Sequence, residues 1–326
     1  AGAGAAVGGA DGDVERPRLR GGAGEDARRG VQVQPVRQRP GGQRVEPLPA
    51  TRPRDSFLVQ HRVHFGHPRP LAGPAPARAA LDLALHNRFG RRLGQPLHVL
   101  LGLPAPRPLP TSFTLGIDAP EVMAEQAAAL ANCSVIKLKL GGDDGGDVAR
   151  VAAVRAARPD VALYVDANAG WSPDDAIAQI ERMLPYGVAL VEQPVAKGDI
   201  AGMGRVQAAC AVPVVADESL QSLADVDRLA AAGVRGVNLK LMKLGGLAAG
   251  LAVLRRARAL GLGVMLGCMV ETAVGATAMA HLMGLADWLD LDAPWLVADD
   301  PFDGLTYDDH SRVHVPDRPG IGVNRR

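Results

Sequence analysis

From Phe113 onward the chain alternates between two hydrophobic patterns. Short β-type runs rich in Val, Leu and Ile recur at 113–117, 135–140, 162–166, 188–192, 212–217, 236–240, 263–267 and 288–291, with starts roughly 25 residues apart. Between them lie alanine-rich amphipathic stretches of helical length, among them 173–184, 223–232 and 247–260. Pro120 and Pro173 stand where a first-turn proline belongs, and Gly187, Gly233 and Gly261 where helices should stop. Strands alternating with helices predict parallel βαβ units. Eight strands in this spacing, with no GxGxxG opening the first unit, predict a (β/α)8-type barrel rather than an open doubly wound sheet. Upstream, 77–89 predicts a helix stopped by Gly90, and 96–101 the start of a second short one.

The opening of the chain reads differently. Residues 1–70 hold 12 Arg, 12 Gly and 8 Pro with no Lys, and no period of 2 or 3.6 emerges beyond weak strand-like runs at 57–59 and 63–65. Two readings stand: a low-complexity arm, or out-of-frame text from GC-rich coding. His61, His64 and His67 fall here, with no strand or helix to fix them as metal ligands. Almost no aromatic residue is interleaved with the arginines, which argues against a base-stacking RNA arm.

Composition narrows the class. With 47% hydrophobic and 22% charged residues, most of the chain can bury a core. Lys+Arg of 36 against Asp+Glu of 35 offers no global attraction to nucleic acid or anionic membrane. No apolar run has the length of a membrane span, and the N-terminus lacks a secretory h-region. Cys133, Cys210 and Cys268, odd in number and far apart, argue against a disulfide framework. The expectation is a soluble cytoplasmic protein, a homo-oligomer by base rate alone.

Lysine usage is the sharpest compositional signal. Only five lysines stand against 31 arginines, and four of them form two clusters, Lys137/Lys139 and Lys240/Lys243. Lysine can lose its proton when buried or crowded by other cations, which arginine does not do. In a barrel, reactive groups project from the C-terminal ends of the strands. Those ends carry Lys137 and Lys139 on strand two, Asp166 on three, Glu192 on four, Asp217 on five, Lys240 on six, Cys268 and Met269 on seven, and Asp290 and Asp292 on eight. Three carboxylates on adjacent strand ends repel one another unless a cation neutralises them, and an all-oxygen set suits Mg2+ before Mn2+. Lysines on strands two and six lie on opposite sides of the mouth. That layout suits removal and redelivery of a proton beside a carboxylate. Singly, each acid also reads as a helix cap and each lysine as a solvated rim residue; the ordered set of strand ends is what argues for chemistry.

The runs KLKLG (137–141), VDANAGW (165–171), VEQP (191–194), VADES (215–219), NLKLMKLGG (238–246), GCMVET (267–272) and DLDAP (290–294) resemble the muconate-lactonizing subgroup of the enolase superfamily, and specifically its dipeptide epimerases of the L-Ala-D/L-Glu type. The resemblance covers about residues 77–323. It implies an enolase-like (β/α)7β barrel at 111–292, capping-domain helices at 77–110, and a C-terminal segment, 293–326, returning to an α+β cap. Residues 1–76 match the N-terminal part of that cap poorly. The resemblance further implies one Mg2+ per subunit, with Mn2+ possible, held by Asp166, Glu192 and Asp217, and Lys139 and Lys240 as bases on the two faces of the substrate. Lys137 would touch substrate and crowd Lys139. Thr114, Cys268 and Met269 would line the pocket, and Asp290 and Asp292 would grip the ammonium group of a dipeptide. The implied reaction is a 1,1-proton transfer through an enediolate, with L-Ala-L-Glu as default substrate. A muconate-type cycloisomerase, an N-acylamino acid racemase, or a catalytically silent metal- or peptide-binding barrel are the alternatives. Asn168 and Glu218 read as supports behind the metal and lysines or as helix caps, Lys243 as a rim lysine, and His281 as a structural histidine.

Overall fold

The computed structural model describes residues 72–326, which lie in a unit running from Thr51 to Arg326. The strand-like runs before Ala72 and the histidines His61, His64 and His67 fall outside the described residues, as does nearly all of the Arg/Gly/Pro-rich segment.

Eight strands pair in chain order into one parallel sheet: β1 (Ser112–Leu115), β2 (Val135–Lys139), β3 (Ala162–Asp166), β4 (Val188–Glu192), β5 (Val214–Ala216), β6 (Gly236–Leu239), β7 (Gly263–Gly267) and β8 (Trp288–Asp290). Thr111 bridges Leu289 in parallel and brings the first strand against the last, so the sheet curls into a barrel. Each of the eight runs expected from the hydrophobic pattern is a strand. Helices α1 (Ala75–Leu93) and α2 (Leu97–Leu100) precede the barrel. Its outer layer consists of α3 (Pro120–Ala129), α4 (Asp147–Ala157), α5 (Pro173–Met183), α6 (Ile200–Ala209), α7 (Leu223–Ala231), the short α8 (Leu241–Leu244), α9 (Leu247–Ala259) and α10 (Ala273–Ala280). After β8 only one turn of helix follows, α11 (Ala293–Leu296), so the barrel is of the (β/α)7β kind.

Local signals account for the element ends. In α5 the Ser172 hydroxyl accepts from the Asp175 N–H at 3.2 Å, Pro173 opens the first turn, and Ala176, Ile180 and Met183 form the buried face. Gly187, Gly233 and Gly261 adopt the positive φ that closes a helix. Gly90 does not. Helix α1 runs through it to Leu93, and Gly94 at φ 66° ends the helix. Gly90 is buried where a Cβ would sit 2.8 Å from the Gly320 nitrogen, so this glycine permits close packing of the C-terminal segment.

The core has two parts. A large cluster fills the space between strands and helices. A second, inside the barrel, is built from Val135, Tyr164, Leu190, Val215 and Met265, with Ala162 and Trp288 packed against it. This second cluster is the floor on which the site rests. Short strands β9 (Phe302–Asp303), β10 (Thr306–Tyr307), β11 (Val313–His314) and β12 (Asn324–Arg325) form two small antiparallel pairs, β9 with β12 and β10 with β11. The C-terminal segment then returns to α1 and α2: Leu97 N–H donates to Gly320 O at 2.8 Å, and Ile321 N–H to Asn87 Oδ1 at 3.1 Å.

Candidate active site

Strand alternation and register assemble the site. Side chains two apart share a face, so Lys137 and Lys139 both point inward from β2. The parallel register sets Lys139 beside Asp166 and Asp166 beside Glu192, and Lys137 opposite Thr114. Asp217 and Lys240 follow the ends of β5 and β6, Asp290 closes β8, and Asp292 lies two residues beyond it. Because β2 and β6 are four strands apart in an eight-stranded ring, Lys139 and Lys240 occupy opposite walls.

Five carboxylates meet four lysines there. Lys139 Nζ lies 2.6 Å from Asp166 and Lys240 Nζ 2.9 Å from Asp217. Lys137, fully buried, pairs with Asp290 and stands 3.4 Å from Glu192 and 3.7 Å from Asp166. Burial works against the Lys240 ammonium, but Asp217 and Glu192 outweigh it and raise its pKa above the ordinary lysine range. Burial pushes the Glu192 carboxyl up to about 8; Lys137 opposes the shift while Asp166, Asp217 and Asp290 add to it. Asp217 is held well below the usual range because Lys243 and Lys240 overcome its burial.

Asp290 and Asp292 differ. Burial raises the Asp290 pKa, but Lys137 and Lys240 outweigh it and hold the group below normal, and Ser112 Oγ donates to it at 2.7 Å. Asp292 is raised by burial and by Asp290, against the opposing effect of the Thr114 side chain, of Lys137 and of the Thr114 N–H, which donates to it at 2.9 Å; Cys268 Sγ adds a weak contact at 3.8 Å. Among the described residues no lysine or arginine pairs with it.

Lys243 is not the rim lysine that its position past Lys240 suggests. Its ammonium is buried, pairs with Asp217, and donates to the carbonyls of Asp217 at 2.5 Å and Asn238 at 3.2 Å, tying the ends of β5 and β6 together. Burial pulls its pKa down. Two further contributors were not singled out by strand-end position. Asn238 Nδ2 donates to Glu192 Oε1 at 2.6 Å. Gln193, buried at φ 33°, accepts from the N–H groups of Asp217 and Ser219 and donates to Val195 O and Ser219 Oγ, clamping the loop that carries Asp217. The sequence signal for Gln193 is its place in the VEQP run, directly after the strand-end Glu192. Asn168 N–H donates to Asp166 at 3.0 Å and its side chain to Glu218 at 3.3 Å, so this pair supports Asp166.

A cavity of about 310 Å³ opens over these groups, lined by Thr114, Lys137, Lys139, Asp217, Lys240, Lys243, Cys268, Met269, Asp290 and Asp292, with Asn168, Glu218, Val270 and Leu296 completing it. Every candidate substrate-contacting residue from the sequence thus lies on one cavity. A larger groove of about 530 Å³, between Phe113, Leu130, Trp295 and Tyr307, lies apart from the lysines and strand-end acids. His281, at the C-terminal cap of α10, is buried away from this cavity, donating from Nε2 to Ile321 O at 3.0 Å and accepting at Nδ1 from the His98 backbone at 3.3 Å. It is structural, as its apolar neighbours suggest.

Among the described residues no three His, Cys, Asp or Glu side chains converge as a ready-made metal site. The reason is visible: Asp166 and Asp217 are turned onto lysines, and Glu192 onto Lys137 and Asn238. The donor set nevertheless suits a hard divalent ion. All three groups are buried carboxylates at the ends of successive strands, an all-oxygen donor set of the kind a hard divalent cation takes.

Comparison with known proteins shows the family to which the chain belongs. The family described as enolase C-terminal domain-like matches residues 122–326. An L-Ala-D/L-Glu epimerase of Bacteroides thetaiotaomicron is 37% identical over 251 residues, covering 76% of this chain. The chain spans 64% of that relative's length. A hydrophobic dipeptide epimerase of Roseobacter litoralis is 38% identical, with 77% of this chain and 74% of that protein covered. The crystal structure of a dipeptide epimerase from Enterococcus faecalis, complexed with Mg and the dipeptide L-Leu-L-Tyr, superposes with a TM-score of 0.76 at 33% identity, covering 82% of this chain and 78% of the other. The chain belongs to the enolase superfamily and, within it, to the family of the dipeptide epimerases.

Proposed function

We propose that the chain is an isomerase that epimerises a dipeptide at the Cα of its C-terminal residue. The observation that carries this reading is Asp292, a buried carboxylate without an ion-pair partner among the described residues, in a cavity whose opposite walls present Lys139 and Lys240. An unpaired buried carboxylate demands an outside cation, and the free ammonium of a dipeptide supplies one. Substrates of a cycloisomerase or an acylamino acid racemase carry no such group and would leave Asp292 unanswered.

Asp166, Glu192 and Asp217 would hold a Mg2+ ion. Bound there, it would supply positive charge that makes a Cα–H next to a carboxylate more acidic and stabilises the charge left behind when that proton is removed. The residues of the chain divide the remaining work. Lys139 and Lys240 stand on the two walls, one taking the proton from one face of Cα and the other delivering a proton to the opposite face. A base must be neutral, and the charge balance allows this: with a divalent cation present, the four lysines no longer all need to be charged to match five carboxylates. Lys137 stays committed to Asp290 and Glu192, so it acts as a fixed positive neighbour rather than a base. Lys243 and Gln193 hold Asp217 in place.

The test is proton exchange followed by ¹H NMR. In D2O with Mg2+, the C-terminal Cα–H signal of an accepted L,L-dipeptide should fade, and EDTA should stop it. Exchange that persists in EDTA, or its absence across a broad dipeptide panel, would remove this reading.

A further inference from the structure

Resting on the reading above, we propose that the site selects dipeptides whose N-terminal residue carries an apolar side chain larger than a methyl group, and that Met269, Val270 and Leu296 are the residues that select it. Asp292 fixes the substrate ammonium, and the N-terminal Cα is one bond from that nitrogen. Its side chain must therefore lie against whatever surrounds Asp292. Cys268 is the immediate neighbour, buried, with Sγ 3.8 Å from the Asp292 carboxylate and bonded at 3.2 Å to Asp290 O. Met269 and Val270 continue the chain from Cys268, and Leu296 stands in the single helical turn after Asp292. All three line the cavity, and they are 47%, 73% and 46% exposed, respectively.

These are large apolar groups left to water at the rim of an otherwise charged cavity. A Leu or Met side chain laid over them removes apolar surface from water on both sides of the contact. A serine gains nothing there. An aspartate would stand near Asp290 and Asp292, and the four cavity lysines are each already engaged by a carboxylate, while no arginine lines the cavity among the described residues. A lysine would have to strip water from its ammonium against an apolar rim.

The experiment uses the full chain with Mg2+ and the same exchange readout. Series of X-L-Ala, X-L-Leu and X-L-Glu vary only the N-terminal residue, as Leu, Met, Val, Ala, Ser, Asp or Lys. The expected result is kcat/KM at least about ten-fold higher for Leu and Met than for Ser and Asp in every series that exchanges. Val270→Asp, a change at an exposed rim position, should lower the Leu-led values about ten-fold and raise the Lys-led ones. Exchange that is indifferent to the N-terminal side chain, or as fast or faster with Ala, Ser, Asp or Lys, overturns the proposal while leaving the epimerase reading intact. No exchange with any member of the three series overturns both.

Discussion

The floor and the mouth of the barrel are built from the same strands, two or four residues apart in inward alternation. Val135 lies on the floor and Lys137 and Lys139 above it; Tyr164 lies below Asp166, Leu190 below Glu192, and Val215 below Asp217. A two-residue step along a strand is about 7 Å. Within that distance the environment changes from a dry apolar cluster to five carboxylates and four lysines. The floor is cohesive without any polar partner, so it can be sealed and rigid. The mouth is cohesive only through mutual pairing, and the pairing is incomplete: among the described residues Asp292 has no ion-pair partner, and burial together with neighbouring carboxylates raises its pKa. Stability and reactivity are thus separated by height in one barrel, with the incomplete part placed where a ligand can complete it.

Three changes test that separation, the largest effect first. Lys240→Met should leave the floor intact and lower epimerisation by 10³-fold or more, about 4 kcal/mol of barrier. Exchange from one epimer of the substrate should persist through Lys139, whereas Lys139→Met should spare exchange from the other epimer. Equal loss for both epimers in either variant would refute the two-wall assignment. Leu190→Ala opens the floor and should cost about 3 kcal/mol in urea unfolding, while kcat/KM of the folded fraction changes little. A large fall in kcat/KM at unchanged stability would show that floor and mouth are not separable.

The third concerns a buried group remote from both regions. Burial lowers the His281 pKa to about 4, with the Ile321 carbonyl opposing and His98 adding to the shift. The unfolded chain takes up this proton near pH 6.5 while the folded chain refuses it, so stability falls as pH drops from about 6.5 toward about 4. At pH 5 the loss should be about 2 kcal/mol. Measured as the difference in unfolding free energy between pH 7 and pH 5, it should shrink by that amount in His281→Gln. The titratable group facing this ring is His98, stacked with ring centroids 5.5 Å apart; Asp317 in turn raises the His98 pKa against its burial. An identical pH dependence in the variant would assign the acid sensitivity to the carboxylates.

Much of the molecule is legible from local pattern. Short apolar runs with a helical stretch between each pair determine a parallel barrel, and the barrel rule makes the strand ends the place to look. Lys139, Asp166, Glu192, Asp217, Lys240, Asp290 and Asp292 all follow from that step, because strand-end position is a property of the sequence. What a side chain meets across the barrel is not. Gly90 reads as a helix stop, but Gly320, 230 residues later, decides that it is a point of close packing. Lys243 reads as a rim residue until the end of β5 is seen against the end of β6. Asp290 and Asp292 read as an equal pair, and only the placement of Lys137 on a different strand makes one neutralised and the other unpaired.

By itself, the sequence determined which residues stand at each strand end and in what order around the ring, since alternation and chain order are local and additive along the chain. Tertiary structure alone decided which charges cancel. Ion pairing depends on distances of a few ångströms between strands far apart in sequence, and in a buried site those distances separate a satisfied carboxylate from one that calls for a ligand.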